Sequence, residues 1–150
     1  MILGFASDHR GFKLKSDLIK YFKEHGYKIV DYGTNSEDSC DYPDYAYKLG
    51  MGIINSEVDF GIAICGTGIG ISIVLNKMKG VYCAKCDSAD DAVQTRVDNN
   101  TNVIAFGEKM GLNNAITCVE TFISTEYSFL EKHNRRINKM KQIEEGVYRG

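Results

Sequence analysis

Short runs of apolar residues alternate along the chain with longer segments in which apolar residues recur every three or four positions. The short runs predict five β-strands, at Ile2–Ala6, Lys28–Asp31, Phe60–Cys65, Val81–Cys86 and Asn102–Phe106. The longer segments predict helices over Phe12–His25, Tyr45–Ser56, Gly70–Met78, Ala89–Asn99, Leu112–Thr125 and His133–Glu145. This alternation predicts an α/β fold of three layers, in which helices cover both faces of a parallel sheet.

Two further segments refine this pattern. The polar stretch Asn35–Asp44 holds the only proline, Pro43, and predicts a surface loop before the second helix. The C-terminal helix spaces its apolar residues as a docking face: Ile137, Met140 and Ile143. No repeat, linker or low-complexity segment interrupts the chain. Its 150 residues, 43% of them hydrophobic, therefore suit a single domain over residues 1–150.

Charge and hydropathy argue against several classes of partner. The formal net charge is −2, so the overall charge does not favour nucleic acid or an anionic membrane. The apolar runs are far shorter than the roughly 20 residues that cross a bilayer, and Asp8 follows the first run too early for a signal peptide. The five cysteines are scattered and odd in number, which is typical of reduced thiols in a cytoplasmic protein: Cys40, Cys65, Cys83, Cys86 and Cys118.

Candidate chemistry centres on Cys65, where the third predicted strand ends and a glycine-rich turn leads into a helix. Gly66, Gly68 and Gly70 allow successive backbone N–H groups to face one point, and the helix adds the positive end of its dipole. An anion or a developing oxyanion is stabilised at such a turn, which makes Cys65 a candidate base or nucleophile. Without this context, a buried cysteine at a strand end is usually just a small apolar residue.

Other polar loops are expected along the edges of the sheet. Asp8, His9 and Arg10 follow the first strand, so they lie at the same edge as Cys65, where ligands of parallel sheets bind. Asp8 is equally suited to capping the next helix, and His9 to being an ordinary loop residue. The segment 98–100 precedes the fifth strand and therefore lies at the opposite edge. It joins the site only through bending or through a second subunit, which suggests a dimer.

Two alternative sites have weaker support. Glycines after a strand are also typical of dinucleotide-binding proteins, but the spacing here is GxGxG instead of GxGxxG, and the chain has no room for a substrate domain. Cys83 and Cys86 form a CxxC pair. The sequence offers no second pair and no nearby histidines to complete a zinc site.

Four motifs in order resemble the type B ribose-5-phosphate isomerase family over nearly the whole chain: Asp8–Gly11 (DHRG), Asp41–Pro43 (DYP), Ile64–Ser72 (ICGTGIGIS) and Asn99–Gly107 (NNTNVIAFG). The resemblance implies a five-stranded parallel, Rossmann-like sheet in the order 2-1-3-5-4 with a C-terminal helix. It also implies a homodimer or tetramer with active sites at the subunit interface, a sugar phosphate as substrate, and neither a metal nor an organic cofactor.

The resemblance also assigns roles to residues. Cys65 matches the base that moves a proton between C2 and C1 of the open-chain sugar through a cis-enediolate, with Thr67 and Asp98 as further catalytic residues. The substrate-binding positions are Asp8, His9, Tyr42, Gly66, Gly68, Ile69, Gly70, Ser72, Asn99, Lys109, Lys132, His133 and Arg136. Four of these are expected from the second subunit: Asn99, Lys109, Lys132 and Arg136. Lysine at two of the three basic positions, where the family commonly has arginine, keeps the charge and loses bidentate geometry.

The main departure from the family pattern is Asp98, where most members carry the histidine assigned to opening the furanose ring. A carboxylate is a poor proton donor at pH 7, so His9 or His133 takes over, or the ring opens in solution. Interconversion of ribose 5-phosphate and ribulose 5-phosphate is the expected reaction. The alternatives are isomerisation of allose 6-phosphate or galactose 6-phosphate, or a non-catalytic subunit that binds a sugar phosphate.

Overall fold

One five-stranded sheet forms the centre of the computed structural model, which describes every residue from Met1 to Gly150. Its strands are β1 (Ile2–Ser7), β2 (Lys28–Asp31), β3 (Phe60–Cys65), β4 (Cys83–Lys85) and β5 (Val103–Gly107). All neighbouring strands pair in parallel, in the order β2-β1-β3-β5-β4. The predicted fold class and strand order are confirmed.

Six α-helices surround this sheet: α1 (Phe12–Glu24), α2 (Tyr42–Ile54), α3 (Ile69–Asn76), α4 (Ala89–Asn99), α5 (Leu112–Ser124) and α6 (Glu131–Glu144). A short 3-10 helix, Glu108–Met110, follows β5. None of the helices is both long enough and apolar enough to cross a membrane.

The two faces of the sheet bury different kinds of side chain, because successive residues of a strand point to opposite sides. Large residues such as Phe5, Ile62 and Ile64 pack with α1 and α5 in a cluster of 17 buried residues. Small residues such as Ala6 and Ala63 face α2 and α3 in a cluster of 11 buried residues, which includes Cys65. The candidate thiol therefore ends its strand on the α2/α3 face.

Most element boundaries differ from the predictions by one or two residues, and the start of α2 and the extent of β4 differ most. Helix α2 begins at Tyr42 instead of Tyr45, with Pro43 in its first turn, where the missing N–H breaks no helical hydrogen bond. The fourth strand is shorter than Val81–Cys86, and the N–H of Tyr82, just before it, donates to the side chain of Asn102 at 2.9 Å. Within the strand, the Asn76 amide bonds both the N–H and the carbonyl of Cys83 at 2.8 Å.

A buried hydroxyl near the carboxyl edge of the sheet leads to a stability prediction. Ser7 is fully buried and its Oγ has no hydrogen-bond partner, whereas the equally buried Thr95 hydroxyl lies 3.0 Å from the hydroxyl of Thr101. Ser7→Ala is expected to leave the free energy of unfolding unchanged or to raise it, because no bond is lost. Thr95→Val is expected to lower it by about 0.5–1.5 kcal/mol, because the bond between the two hydroxyls is lost and Thr101 Oγ1 keeps only the carbonyl of residue 95 at 3.4 Å. Urea denaturation measures the free energy of unfolding of both variants. Equal losses would contradict the assignment of Ser7 Oγ as unpaired and of Thr95 Oγ1 as hydrogen-bonded.

Candidate active site

Cys65 is the last residue of β3, and its thiol is held by the turn that follows. The side chain is 5% exposed, and Sγ accepts a hydrogen bond from the N–H of Gly68 at 3.1 Å. Gly68 has a positive φ of 81°, which reverses the chain so that its amide faces back toward the strand end. Helix α3 then begins at Ile69, so the sulfur lies between a strand end and a helix N-terminus.

Each glycine of this turn is in close contact with another part of the site. A Cβ on Gly68 would lie 2.7 Å from the backbone of Phe106 in β5. A Cβ on Gly70 would lie 2.7 Å from the ring of Tyr42, so this ring covers the start of α3. A Cβ on Gly66 would collide with the guanidinium of Arg10. The glycines therefore let β5, α2 and the loop after β1 pack closely against the turn that follows Cys65, in addition to allowing the turn itself.

Thr67, Ile69 and Ser72 lie in or just after the turn, and they differ in what they leave free to contact a ligand. Thr67 Oγ1 accepts the N–H of Ile69 at 3.1 Å, which leaves the hydroxyl hydrogen available to a ligand. Ser72 is 8% exposed and donates its hydroxyl to the carbonyl of Ile69 at 2.7 Å, so its hydrogen is used within the helix. The Ile69 side chain itself is exposed.

Asp8 and His9 follow β1 at the same edge of the sheet. Asp8 is 5% exposed, and its Oδ1 accepts the N–H groups of Arg10 and Gly11 at 3.0 and 3.1 Å. These bonds close the turn before α1 and do not cap the helix, whose N-cap is Gly11 and has no side-chain cap. The other carboxylate oxygen, Oδ2, has no hydrogen-bond partner in the chain. His9 is half-buried, and its Nδ1 lies 3.2 Å from the backbone nitrogen of Cys40. Backbone N–H groups therefore hold one carboxylate oxygen of Asp8 and one ring nitrogen of His9 in place.

A cavity of about 350 Å³ next to the turn is lined by three basic side chains and one carboxylate. The basic ones are Arg10, Lys85 and Lys109, and the carboxylate of Asp87 forms an ion pair with Lys85. The Arg10 guanidinium lies 2.8 Å from the carboxylate of Glu108, whose hydrogen bond raises the pKa of Arg10 above its usual value. Arg10 was given no role from the sequence. Its partner, 98 positions away along the chain, becomes visible only in the fold.

Lys109 lies at a different place from the one that the resemblance implied. It was expected with the residues of a second subunit, but it follows β5 directly at the carboxyl edge of the sheet. Because Cys65 and Gly107 are paired in the register of β3 and β5, Lys109 comes close to the glycine turn of its own chain. No second subunit is needed to place it there.

The other predicted residues lie at the opposite, amino edge of the sheet. Asp98 and Asn99 end α4, and Lys132, His133 and Arg136 lie on α6, which packs against α4. His133 is buried, with Nε2 lying 3.4 Å from a carboxylate oxygen of Asp98 and Nδ1 lying 2.6 Å from Ser128 Oγ. Lys132 and Arg136 are exposed and form no ion pair. A single chain therefore does not bring this group to Cys65.

The two cysteines of the CxxC pair lie in different parts of the core. Cys83 belongs to the cluster on the α2/α3 face, and Cys86 belongs to the cluster on the α1/α5 face. Burial raises the pKa of the Cys83 thiol, which keeps it neutral. No group of three or more His, Cys, Asp or Glu side chains is arranged to hold a metal ion.

Known proteins share both the sequence and the fold of this chain. A family model described as Ribose/Galactose Isomerase matches residues 3–140. Ribose-5-phosphate isomerase B of Escherichia coli is 38% identical over 144 residues, which cover 95% of this chain and 96% of that protein. Among solved structures, ribose-5-phosphate isomerase B of Clostridium thermocellum has a TM-score of 0.94 and 38% identity, covering 97% of this chain and 99% of the other. The Thermotoga maritima enzyme of that name has a TM-score of 0.91 and 41% identity, covering 94% and 97%.

Proposed function

The chain belongs to the ribose/galactose isomerase family, and we propose that it interconverts D-ribose 5-phosphate and D-ribulose 5-phosphate. Membership of the family makes the protein a sugar-phosphate isomerase. The choice of a five-carbon substrate is supported by the similarity to proteins named ribose-5-phosphate isomerase B. The observation that carries the mechanism is the thiol of Cys65, held at the carboxyl end of β3 against the amide of Gly68.

In this mechanism Cys65 acts as a proton-transfer base. Its thiolate removes the proton from C2 of the open-chain aldose, and the C2 electrons form a double bond to C1 while the carbonyl oxygen becomes negative. A proton then moves from the C2 hydroxyl to the oxygen on C1, so that the negative charge of the cis-enediolate lies on the C2 oxygen. This form takes the thiol proton at C1 as the C2 carbonyl forms, which gives the ketose and regenerates the thiolate. Neither an external oxidant nor a reductant is needed, because the electrons move only between C1 and C2.

The glycine turn supplies the stabilisation that this intermediate needs. Amide groups and a helix N-terminus that are fixed before the reaction favour negative charge where it develops on the sugar oxygens. The free hydrogen of Thr67 and the unpaired oxygen of Asp8 are suited to bind hydroxyl or enediolate oxygens on either side. The Tyr42 ring lies against Gly70 at the start of α3, where it can contact a bound sugar.

The phosphate is assigned to basic residues from two chains. Lys109 reaches the cavity beside the glycine turn from the same chain. Lys132 and Arg136, together with Asn99, are exposed at the amino edge and would have to come from a second copy. Asp98 lies in the same group, so the residue assigned to ring opening also belongs to the partner chain. The proposal therefore requires a homodimer or a larger assembly of dimers.

A panel of aldose phosphates tests this function. The purified protein is expected to isomerise ribose 5-phosphate with kcat/KM at least about tenfold above that for allose 6-phosphate and galactose 6-phosphate, a difference of about 1.4 kcal/mol in transition-state binding. Unphosphorylated ribose is the control and should react far more slowly, because it lacks the group that the basic residues bind. A higher kcat/KM for a hexose phosphate would contradict ribose 5-phosphate as the substrate. Tight binding of an aldose phosphate without turnover would identify a non-catalytic subunit.

A further inference from the structure

His9 is held by a backbone group from a distant loop. Its Nδ1 lies 3.2 Å from the backbone nitrogen of Cys40, 31 positions further along the chain. The thiol of Cys40 is more distant, with Sγ 3.9 Å from the same ring nitrogen. The amide is thus the closer and stronger donor, since a thiol is a weak one.

This contact determines where the imidazole proton resides. A backbone N–H can only donate, so Nδ1 must accept with its lone pair, and the proton of the neutral ring must be on Nε2. Nε2 has no hydrogen-bond partner in the chain and remains available as a donor. His25 provides the opposite case, because its Nδ1 lies 2.7 Å from the carbonyl of Tyr21, which can only accept. His25 must therefore carry its proton on Nδ1.

The loop that supplies the amide is also part of the site. Cys40 stands two residues before Tyr42, whose ring covers Gly70 of the glycine turn. His9 follows Asp8, whose N–H donates to the carbonyl of Ile64, the residue before Cys65. The imidazole therefore lies between the loop after β1 and the segment leading into α2, at the edge that holds Cys65.

We propose that Cys40 is a positioning residue whose backbone amide fixes His9 as an Nε2–H donor to an oxygen of the substrate. The nature of this oxygen, a carbonyl or hydroxyl oxygen of a sugar phosphate, rests on the proposed function. As a neutral donor, His9 polarises the oxygen and does not take a proton from the sugar. The role of base therefore stays with Cys65, and His9 does not replace the missing histidine at position 98 as a base.

Nuclear magnetic resonance tests the proton position directly. The protein has three histidines, so a long-range ¹H–¹⁵N correlation spectrum of protein labelled with [¹⁵N]histidine is assigned by comparison with His9→Gln and His25→Gln. At about pH 8.5, well above the ordinary pKa of imidazole, His9 is expected to show Nε2–H and His25 to show Nδ1–H. A His9 ring that carries its proton on Nδ1, or exchanges between both forms, would overturn the proposal. This readout does not depend on enzymatic activity, so it fails or succeeds separately from the proposed function.

Two pairs of variants connect the proton position to Cys40 and to turnover. Cys40→Ala keeps the amide and should keep His9 as Nε2–H, whereas Cys40→Pro removes the donor and should allow both forms. If Cys40→Pro left His9 entirely as Nε2–H, Cys40 would not be the positioning residue. In kinetics, His9→Gln places an amide nitrogen near the Nε2 position and His9→Asn places one near Nδ1. His9→Gln is expected to retain at least about tenfold more kcat than His9→Asn, as for loss of one oriented donor; equal losses would contradict the donor role.

Discussion

Replacing Cys65 with alanine is expected to lower kcat for ribose 5-phosphate by about 10²–10⁴-fold, the range associated with loss of a positioned acid–base group. Binding of the sugar phosphate should change little, because the amides of the glycine turn and the basic residues of the cavity remain in place. Steady-state kinetics with ribose 5-phosphate, together with binding measured by isothermal titration calorimetry, separates the two effects.

Cys83 provides a matched control for this substitution. Its thiol is buried in the same apolar cluster as Cys65, with 8% and 5% of the two residues exposed, but it lies in β4 away from the glycine turn. Cys83→Ala is expected to cost similar stability through lost packing and to retain full turnover. If Cys65→Ala retained as much activity as Cys83→Ala, Cys65 would not be the base.

Gly68→Ala is expected to give the second large effect, on both stability and turnover. A side chain at a φ of 81° costs about 1–2 kcal/mol. The new Cβ would also lie 2.7 Å from the backbone of Phe106, in the buried strand β5, which cannot move aside cheaply. Together these effects should lower the free energy of unfolding by about 2–5 kcal/mol. Turnover should fall as well, because the amide that donates to Cys65 Sγ is displaced.

Gly26→Ala is the control that isolates the backbone contribution. Gly26 has a φ of 87°, similar to that of Gly68, but no atom lies within 4 Å of its Cβ position. Its replacement should cost only the conformational strain of about 1–2 kcal/mol and leave turnover unchanged. Chemical denaturation measures the free energy of unfolding of Gly68→Ala and Gly26→Ala. Equal losses would contradict the steric cost assigned to the contact between residue 68 and Phe106.

The sequence was sufficient for the fold because its periodicities are unambiguous. Strands with small residues on one face and large ones on the other, such as Ala63 and Cys65 against Ile62 and Ile64, lie between amphipathic helices of ordinary length. The strand order came from the resemblance to a family, since periodicity alone does not determine which strands are neighbours. The start of α2 was placed too late because Pro43 was interpreted as part of a loop, although proline is also favoured in the first helical turn.

The site was predictable only in part, because much of it depends on contacts between residues distant in sequence. The Cys65 turn is local and was visible as a pattern. The pair formed by Arg10 and Glu108 depends on the strand order, because these residues follow β1 and β5, which lie on either side of β3. The contact between His9 and Cys40 likewise joins segments that come together only in the fold. Lys109 was assigned to a second subunit because the resemblance grouped it with Asn99, Lys132 and Arg136. Its position directly after β5 places it at the carboxyl edge of the sheet.

Asp98 illustrates a residue whose surroundings could not be derived from the sequence. The histidine expected at this position is absent, but His133 of α6 lies 3.4 Å away and is held in turn by Ser128. The pattern of α6 indicated only a docking face, and the contact arises from how α6 packs on α4. The sequence suggested that the Asp98 carboxylate contacts only solvent, whereas in the structure it contacts the imidazole of His133.

The central claim is that Cys65 isomerises the sugar by moving a proton through an enediolate. Isomerisation of ribose 5-phosphate in D₂O tests it most directly, with ¹H nuclear magnetic resonance of the ketose at early conversion. We expect deuterium at C1 of ribulose 5-phosphate, because a proton held by a thiol exchanges with solvent. With Cys65→Ala, labelled ketose should form about 10²–10⁴-fold more slowly. Ketose that forms without any deuterium at C1, even when the reaction has reached equilibrium, would show direct transfer of hydrogen from C2 to C1 and would contradict the claim.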